Sequence, residues 1–304
     1  MSFTLQILGC SSALPTLERH TSCQLLNINS NFSLIDCGEN AQLQLLRYKL
    51  KAQKINQIFI SHLHGDHCFG LMGLLSSMSL QGRIDPVHLF APKGLDEIIT
   101  LSLQYSGSVL RMPVEFHALD TTQHKQIFDN EDFTVHSIPL IHGVPCCGFL
   151  FREKRRKRKI LKEKVPPNLP IELLVALKDG HDIVWGGRKI SNNELTTDPK
   201  PAISYAYCSD TAYSETVAKL VQGVHLLYHE ATFTQLMAER ATETYHSTAQ
   251  QAATIAAKAQ VKKLLLGHFS ARYTLLDGFL DEAKPIFAKT LLAHDGMKID
   301  LENL

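Results

Sequence analysis

A segment of seven residues at the end of a short apolar run constrains this chain more than any other feature. The segment SHLHGDH, residues 61–67, closes the run INQIFIS, whose apolar content is consistent with a buried strand. It supplies His62, His64, Asp66 and His67. Alternate side chains of an extended segment point to the same side, so the first two histidines should lie together. The turn at the glycine should bring the aspartate and the third histidine back toward them. The alternative is a polar loop with chance histidines.

Three more residues of metal-ligand type stand at the ends of other predicted strands. They are His142 in PLIHGVP, Asp210 in YCSDT and His268 in LLLGHFS. A single histidine at a strand end is more often a partly buried residue than a ligand, but two metal ions together need about seven or eight protein groups. Imidazole suits zinc and carboxylates help to hold a second ion. The seven residues therefore predict a site for two metal ions, to each of which Asp210 could give one oxygen.

Strands and helices interleave along both halves of the chain, which favours sheets covered by helices. Runs such as FTLQILG, FSLIDCG and HLLYHEA are typical of strands, whereas NAQLQLLRYKL and STAQQAATIAAKA are typical of helices. Ser247 and Gln250 form a predicted capping box, so the second of these helices should begin just after His246. We expect a single α/β domain over residues 1–304.

The character of the chain changes at Arg152. Residues 152–164, REKRRKRKILKEK, carry nine lysines or arginines and two glutamates, a local charge of +7. The whole chain has a formal net charge of +1, so the rest sums to −6. Charge and proline content predict an insertion over residues 152–201. Charge runs are usually solvated, and KRRKRK also matches a nuclear-import patch, but such an asymmetry is a clue to a polyanionic partner.

Composition argues against a membrane protein and against a disulfide-bonded one. The chain is 44% hydrophobic and 20% charged, as is ordinary for a soluble globular protein. No apolar run reaches the roughly 18 residues of a membrane span, and MSFTLQILG lacks the regions of an export signal. The seven cysteines are odd in number and contain no Cys-x-x-Cys pair. We therefore expect free thiols in a reducing, cytoplasmic compartment.

The motif His-x-His-x-Asp-His after a buried strand, followed by single His, Asp and His residues, resembles the metallo-β-lactamase fold over nearly the whole chain. The resemblance implies an αββα sandwich with two zinc ions per subunit at one edge of its two sheets. It also implies how the ligands divide between the ions. One zinc would be held by His62, His64 and His142, the other by Asp66, His67 and His268, and Asp210 would be shared.

Several further segments are similar to the short form of the ribonuclease Z family, the tRNA 3′-processing endoribonucleases. They are FSLIDCGENAQLQLLR, FISHLHGDHCFGLMGLL, LLYHEATF, YHSTAQQAA and LLLGHFSARY. The resemblance implies removal of the 3′ trailer from precursor tRNA, leaving a 3′-hydroxyl on the tRNA. It also implies a homodimer, in which the flexible arm of one subunit grips the elbow of a tRNA that the other subunit cuts. The basic insertion takes the place of that arm, and its candidate contacts are Arg155, Arg156 and Arg158.

The chain departs from this family in an early loop and in the arm. The loop usually reads Pro-x-Lys-x-Arg-Asn, whereas residues 15–20 here read PTLERH. The lysine and the asparagine are thus replaced, and Arg19 is kept as a candidate substrate contact. The arm usually carries a Gly-Pro pair, whereas here it reads VPPNLPIELL.

Hydrolysis of a phosphodiester by these residues would use a hydroxide that bridges two metal ions, because two cations lower the pKa of a bound water and neutralise the phosphate oxygens. Asp66 is the candidate acceptor of the nucleophile's proton, and His246 is the candidate donor to the leaving oxygen. A place just before a helix disfavours a charged imidazolium, and Glu230 is expected to restore it. Ser270 and Arg272 are candidate phosphate contacts. The alternatives are a helix contact for His246 and a surface ion pair for Arg272.

Two other functions stay open at this point. A related hydrolase acting on small molecules, such as a phosphodiesterase or a thioester hydrolase, would not need a basic insertion of 50 residues or the HST segment at 246–248. An RNA-binding protein that has lost its chemistry would commonly have lost ligands, whereas all seven are present.

Overall fold

The computed structural model describes residues 2–154 and 156–304. Met1 and Arg155, the latter a predicted tRNA contact, lie outside the described residues. The chain divides into two compact units. One consists of Met1–Arg152 with Ile203–Leu304, and the other, called the arm below, consists of Glu153–Ala202.

In the part of the chain that the structure describes, the strands form two large sheets and three two-stranded ones. In chain order they are β1 (Phe3–Gly9), β2 (Ser11–Ser12), β3 (Cys23–Ile28), β4 (Asn31–Cys37), β5 (Ile55–Phe59), β6 (Val87–Pro92), β7 (Val114–Leu119), β8 (Gln126–Asp129), β9 (Phe133–Pro139), β10 (Cys147–Glu153), β11 (Lys159–Ile160), β12 (Ile183–Trp185), β13 (Arg188–Ile190), β14 (Thr196–Thr197), β15 (Ser204–Cys208), β16 (Leu226–Glu230), β17 (Lys263–Gly267), β18 (Phe269–Ser270), β19 (Thr290–Leu292) and β20 (Lys298–Asp300).

The helices of the described residues are short. They are α1 (Ala41–Arg47), α2 (Gly65–Cys68), α3 (Leu71–Leu80), α4 (Leu95–Ser106), α5 (Ile171–Lys178), α6 (Asn192–Leu195), α7 (Glu215–Leu220), α8 (Ala238–Glu243), α9 (Ala249–Lys258) and α10 (Asp277–Ala283), with 3₁₀ turns at Ala52–Lys54, Lys162–Lys164, Gln235–Met237 and Leu301–Asn303. None of the helices within residues 2–154 and 156–304 is long and apolar enough to cross a membrane.

Parallel strands sit side by side in both large sheets. The first sheet has seven strands in the order β20-β1-β3-β4-β5-β6-β7, and β4 to β7 run parallel. The second has seven in the order β19-β17-β16-β15-β10-β9-β8, and β15, β16, β17 and β19 run parallel. Because the carboxyl ends of parallel neighbours meet at one edge, residues that follow these strands are brought together there.

Two hydrophobic cores separate the layers of the first unit. One contains inward side chains of both sheets, such as Phe59 and Phe149, whose rings lie 5.4 Å apart, and continues to the alanine face of α9. The other lies on the opposite face of the first sheet, where Ile58 packs with Leu45 of α1 and Leu74 of α3. The predicted αββα layering is confirmed.

The arm has a small core of its own. Two strand pairs, β11 with β14 and β12 with β13, accompany α5 and α6. The segment IELLVALK forms α5. The buried apolar residues of the arm are Leu169, Leu177, Ile183, Ile190 and Leu195.

Two arginines of the arm bind acidic side chains within it. Nε of Arg156 donates to Oε1 of Glu153 at 2.8 Å. Arg158 pairs with Asp198 and donates from Nε to the hydroxyl of Thr196 at 2.7 Å. The tRNA contacts predicted for these arginines stay predictions.

The predicted cap of α9 is wrong by one residue. The capping box is formed by Thr248 and Gln251: Gln251 N donates to Thr248 Oγ1 at 3.3 Å, and Thr248 N donates to Gln251 Oε1 at 2.9 Å. The expected pair, Ser247 and Gln250, does not form because the Ser247 hydroxyl donates to the carbonyl of Thr211 at 2.6 Å. The Ser247 side chain therefore makes a tertiary hydrogen bond to Thr211 and does not cap α9.

Candidate metal centre

The predicted ligands come together because they follow the ends of neighbouring strands. In the second sheet, Glu230 ends β16, and Asp210 and His268 follow the parallel strands β15 and β17, so all three emerge at one edge. In the first sheet, His62 follows β5 and the turn of α2 comes next. Asp210 and His268 have φ angles of 54° and 59°, values that residues other than glycine rarely adopt. Such local strain concentrates at functional sites.

Four side chains form a first donor group: His62, His64, His142 and Asp210. Nδ1 of His64 lies 3.0 Å from Nε2 of His62 and 3.3 Å from Nε2 of His142. Oδ2 of Asp210 lies 3.7 Å from Nε2 of His62 and 3.8 Å from Nε2 of His142. Four ligands about 2.1 Å from a tetrahedral zinc ion lie about 3.4 Å from one another, so this group has the span of one coordination sphere.

A second donor group consists of Asp66, His67 and His268. The Nε2 atoms of the two histidines lie 3.3 Å apart, and Oδ2 of Asp66 lies 3.3 Å and 3.6 Å from them. Oδ1 of Asp210 lies 3.2 Å from each Nε2 atom. Asp210 therefore turns one oxygen to each donor group, which is the arrangement a shared ligand needs.

Asp36, which the sequence did not single out, holds two of these histidines in place. Its carboxylate is fully buried, and Oδ2 lies 2.7 Å from Nδ1 of His67. The hydroxyls of Ser61 and Tyr207 donate to the same oxygen at 3.0 and 2.6 Å. Because the Ser61 hydroxyl is thus a donor to Asp36, it can only accept from Nδ1 of His62, 3.0 Å away. In their neutral forms, both imidazoles therefore keep their hydrogen on Nδ1 and turn an unprotonated Nε2 inward.

Glu230 acts in the same way on the other side of the site. Its Oε2 accepts from the hydroxyl of Thr232 at 2.6 Å, so that hydroxyl can accept from Nδ1 of His268 at 2.9 Å. Nδ1 of His142 lies 3.3 Å from the carbonyl of Tyr245 and donates to it. The Nε2 lone pairs of His268 and His142 therefore also point into the donor groups. Unprotonated nitrogens about 3 Å apart repel one another unless a cation lies between them, so the donor set fits two metal ions.

The aspartates of the site are ionised. Burial raises the pKa of Asp210, but electrostatic interaction with the neighbouring His268, His67 and His62 lowers it further, to well below its ordinary value. Burial also raises the pKa of Asp66, but the charge of His67 lowers it further, to well below its usual range. The pKa of His62 is instead lowered, chiefly by burial, so that this imidazole is neutral, as a metal ligand must be.

Negative charge accumulates around His67. Burial lowers the pKa of this imidazole, but the carboxylates of Asp210, Asp66 and Asp36 raise it well above the ordinary value. Three carboxylates around one fully buried side chain require compensating positive charge. Bound cations would supply it and leave His67 free to act as a neutral ligand.

A backbone group of the early loop also reaches the site. The N–H of Ala13 donates to Oδ2 of Asp66 at 2.8 Å, and Ala13 has a positive φ angle of 56°. Nothing in the sequence around this alanine predicts such a contact, because it depends on the fold of the loop against α2.

His246 lies beside both donor groups and is bound to Glu230. Its Nδ1 is 2.7 Å from Oε1 of Glu230, and its ring centroid is 5.2 Å from that of His142 and 5.5 Å from that of His268. Burial lowers the pKa of His246, but the charge and hydrogen bond of Glu230 raise it to about 9. An open cavity of about 350 Å³ is lined by His246 and by Asp66 and Asp210 of the donor groups. A protonated imidazole thus faces the space in which a substrate would meet the metal ions.

The predicted substrate contacts Ser270, Arg272 and Arg19 do not belong to the donor groups. Nε of Arg272 donates to the hydroxyl of Ser270 at 3.1 Å, and the guanidinium lies 5.1 Å from the ring centroid of Phe233. Arg19 is buried and donates to the carbonyl of Tyr273 at 2.6 Å. These contacts hold the arginines in place, and their roles toward a substrate stay predictions.

Comparisons with known proteins agree with this architecture. Residues 3–160, about half of the chain, match a family model described as Anti-Pycsar protein Apyc1. Ribonuclease Z of Bacteroides thetaiotaomicron is 46% identical over 303 residues, which cover 99% of this chain and 96% of the relative. The crystal structure of human tRNase Z, short form, aligns with a TM-score of 0.71 at 30% identity, covering 98% of this chain and 99% of that one. The metallo-β-lactamase fold protein YhfI from Bacillus subtilis aligns with a TM-score of 0.69 at 20% identity, covering 99% of this chain and 100% of that one.

The two layered sheets, with histidines and aspartates gathered at one edge, make this a protein of the metallo-β-lactamase fold. The Apyc1 match ends before Asp210, His246 and His268, whereas the similarity to ribonuclease Z extends over nearly the full length and includes them. The chain belongs to the ribonuclease Z family, which confirms the resemblance found in the sequence.

Proposed function

We propose that the chain is a zinc-dependent endoribonuclease that removes the 3′ trailer from precursor tRNA and leaves a 3′-hydroxyl on the tRNA. Membership of the ribonuclease Z family makes it an endoribonuclease. The observation that carries the rest of the proposal is the convergence of seven donor side chains, at least four of whose imidazoles have their outer nitrogen tied to an oxygen.

Two zinc ions per subunit are the proposed cofactors. His62, His64, His142 and Asp210 would hold one ion, and Asp66, His67 and His268 would hold the other with the second oxygen of Asp210. When bound, the two cations would neutralise the phosphate oxygens and lower the pKa of an attacking water. Imidazole and carboxylate donors at this spacing support zinc.

Asp66 and His246 are the proposed proton-handling residues. Asp66 is held by the N–H of Ala13 and points its carboxylate into the cavity, where it would accept the proton of the nucleophile. Its depressed pKa favours the ligand role over storage of that proton, so the proton would pass on to solvent. His246, kept protonated by Glu230, would donate to the oxygen that leaves as the 3′-hydroxyl of the tRNA.

Precursor tRNA is the proposed partner of the arm, including Arg155, Arg156 and Arg158. The +7 charge of residues 152–164, against −6 for the rest of the chain, supports contact with a polyanion. Ser270, Arg272 and Arg19 remain proposed contacts near the cleavage site. We further propose a homodimer, for which light scattering at working concentration is the test. A monomer with full activity would contradict it.

A cytoplasmic location is part of the proposal. All seven cysteines are buried free thiols, which suits a reducing compartment.

The substrate assignment is tested by removing charge from the arm without removing the arm. The arm variant carries three lysine-to-glutamine substitutions at exposed positions, Lys159, Lys162 and Lys164. The control variant carries the same substitutions at exposed positions of the first unit, Lys284, Lys289 and Lys298. Each phosphate interaction that the substitutions remove should flatten the dependence of log affinity on log salt by up to about 0.9.

We expect the arm variant to have a lower kcat/KM for precursor tRNA and to show the flatter salt slope, while it hydrolyses bis(p-nitrophenyl) phosphate like the wild type. The control variant should match the wild type on both substrates. Equal behaviour of the two variants on precursor tRNA would mean that the basic segment is only a solvated surface, and the tRNA assignment would lose its independent support.

A further inference from the structure

Two histidines and a glutamate form a third donor group on the first sheet. His88 is the second residue of β6, and Glu115 and His117 lie two residues apart on β7. In the parallel register His88 stands opposite Glu115, and Phe90 stands opposite His117. Alternation along the strands therefore places all three donor side chains on one face of the sheet.

The donor atoms of this group are as close as those of the candidate metal centre. Nδ1 of His88 lies 3.1 Å from Oε2 of Glu115 and 3.3 Å from Nε2 of His117. All three donor atoms lie within 4.8 Å of one another. The side chains of His88 and Glu115 are 34% and 50% exposed, so a hydrated ion can reach them from solvent.

Aromatic packing fixes one of the two imidazoles. The ring of His117 is stacked on Phe90, with centroids 4.4 Å apart and planes 12° apart, and Phe90 is stacked on Phe59 at 4.7 Å. Phe59 and Phe90 are buried in the core between the sheets. A donor held on such a platform loses little freedom when it binds a ligand, which favours binding.

We propose that His88, Glu115 and His117 bind a divalent transition-metal ion, with zinc as the best fit, at a site separate from the candidate metal centre. Two imidazoles and one carboxylate are a donor set that zinc accepts, and water would complete its coordination. The group shares no residue with the seven donors described above. It lies near the beginning of β6, whereas those donors follow the carboxyl ends of β5 and of strands in the second sheet. The inference does not depend on the proposed function.

The ion would clamp an edge of the sheet. β7 is the last strand in the order of the first sheet, and within residues 2–154 and 156–304 its outer backbone groups have no partner strand in that sheet. A metal ion that joins β7 to β6 would oppose fraying of this edge.

The test is a count of bound zinc in the full chain. The protein is stripped with EDTA, dialysed against buffered free zinc, and analysed by mass spectrometry for metal per chain. The site variant combines His88→Gln with His117→Gln. The control combines His124→Gln with His136→Gln, a pair whose ring centroids lie 5.4 Å apart but which, among the described residues, belongs to no three-donor group.

We expect the site variant to bind one zinc ion fewer per chain than the wild type, and the control to bind the same number as the wild type. Equal zinc content in all three proteins at every free zinc concentration would overturn the proposal. Both variants should cleave RNA like the wild type. If the wild-type protein itself does not cleave RNA, the proposed function is wrong, but the zinc count still tests this site.

Glu115→Gln provides a second measurement in case the double variant does not fold. Glu115 is half exposed, and its replacement removes the one carboxylate of the group. Zinc binding at one site should weaken at least tenfold in this variant. An unchanged zinc titration would also overturn the proposal.

Discussion

Replacement of Glu230 by glutamine should shift the pH dependence of cleavage, because Glu230 sets the pKa of His246. The carboxylate of Glu230 is fully buried and lies 2.7 Å from Nδ1 of His246. Burial lowers the pKa of His246, whereas the charge and hydrogen bond of Glu230 raise it to about 9, against an ordinary value of 6.5. Glutamine keeps the shape of the side chain and removes its charge, so the lowering by burial would dominate in the variant.

The size of the effect follows from the fraction of His246 that is protonated. A general acid works only while it carries its proton, so the rate falls as the pH rises through its pKa. A pKa of about 9 keeps His246 almost fully protonated at pH 7.5, whereas a pKa of 6.5 or below leaves at most about one tenth protonated, and the rate should fall at least about 10-fold. At pH 8.5 the corresponding loss is at least about 75-fold. Bound cations would lower the pKa of His246 in both proteins. The quantity to compare is therefore the shift in pH between the rate profiles of the wild type and of Glu230→Gln.

The assay is the single-turnover rate constant for a precursor tRNA between about pH 6 and pH 10, with bound metal measured on the same samples. His246→Ala is the matched control, which should lose roughly 10²–10⁴-fold in rate, keep its metal ions and show no alkaline limb from this residue. Glu230 also accepts bonds from Thr211 and Thr232, so its replacement should cost about 1–3 kcal/mol of stability. If the rate falls at the same alkaline pH in Glu230→Gln and in the wild type, at equal metal content, Glu230 does not set the pKa of His246.

Three further predictions concern metal binding and the arm. Asp36→Asn should weaken zinc binding 10–100-fold and lower the free energy of unfolding by about 3 kcal/mol, as measured by buffered zinc titration and urea denaturation, because His67 loses its buried charged partner. Asp210→Ala should lose at least one metal ion per chain and abolish hydrolysis; a metal content of one ion in the wild type that is unchanged in the variant would contradict the shared ligand. Replacement of residues 153–202 by a Gly-Ser linker should severely weaken cleavage of precursor tRNA and leave hydrolysis of bis(p-nitrophenyl) phosphate nearly unchanged; loss of both activities at normal metal content would mean that the arm shapes the catalytic site.

The donor residues could be found from the sequence because their pattern is local. SHLHGDH places three histidines and an aspartate in one short segment after an apolar strand, and the later donors each follow a strand of their own. The spacing of apolar residues also predicts the main strands and the helices α1 and α9. These patterns predict structure reliably because the apolar residues of a strand or helix recur at the spacing of its buried face.

The residues that hold the donors could not be found in the same way. Asp36 stands 31 positions from His67 in the chain, and Thr232 stands 36 positions from His268. Ala13 acts through its backbone N–H, which carries no sequence signal. Asp36 did leave one hint, a charged residue inside the apolar strand FSLIDC, where a buried carboxylate must find partners.

Tertiary contacts also account for the capping prediction that is wrong. Ser247 and Gln250 satisfy the local rule, but Thr211 takes the Ser247 hydroxyl, and Thr248 caps the helix instead. Arg19, expected as a substrate contact, has its guanidinium bonded to the carbonyl of Tyr273, 254 positions away in the chain. In each case the side chain donates a hydrogen bond to a residue that is distant in the sequence, so the local pattern could not predict the contact.

Removal of the 3′ trailer from precursor tRNA can be observed by mapping the ends of the RNA that the zinc-loaded protein produces. A precursor tRNA with a 3′ trailer is incubated with the protein, and both products are sequenced and their termini identified. We expect one cut at the junction of tRNA and trailer, with a 3′-hydroxyl on the tRNA and a 5′-phosphate on the trailer, and no cut after EDTA treatment. Cleavage at unrelated positions, or an intact precursor alongside full hydrolysis of a small phosphodiester, would contradict it.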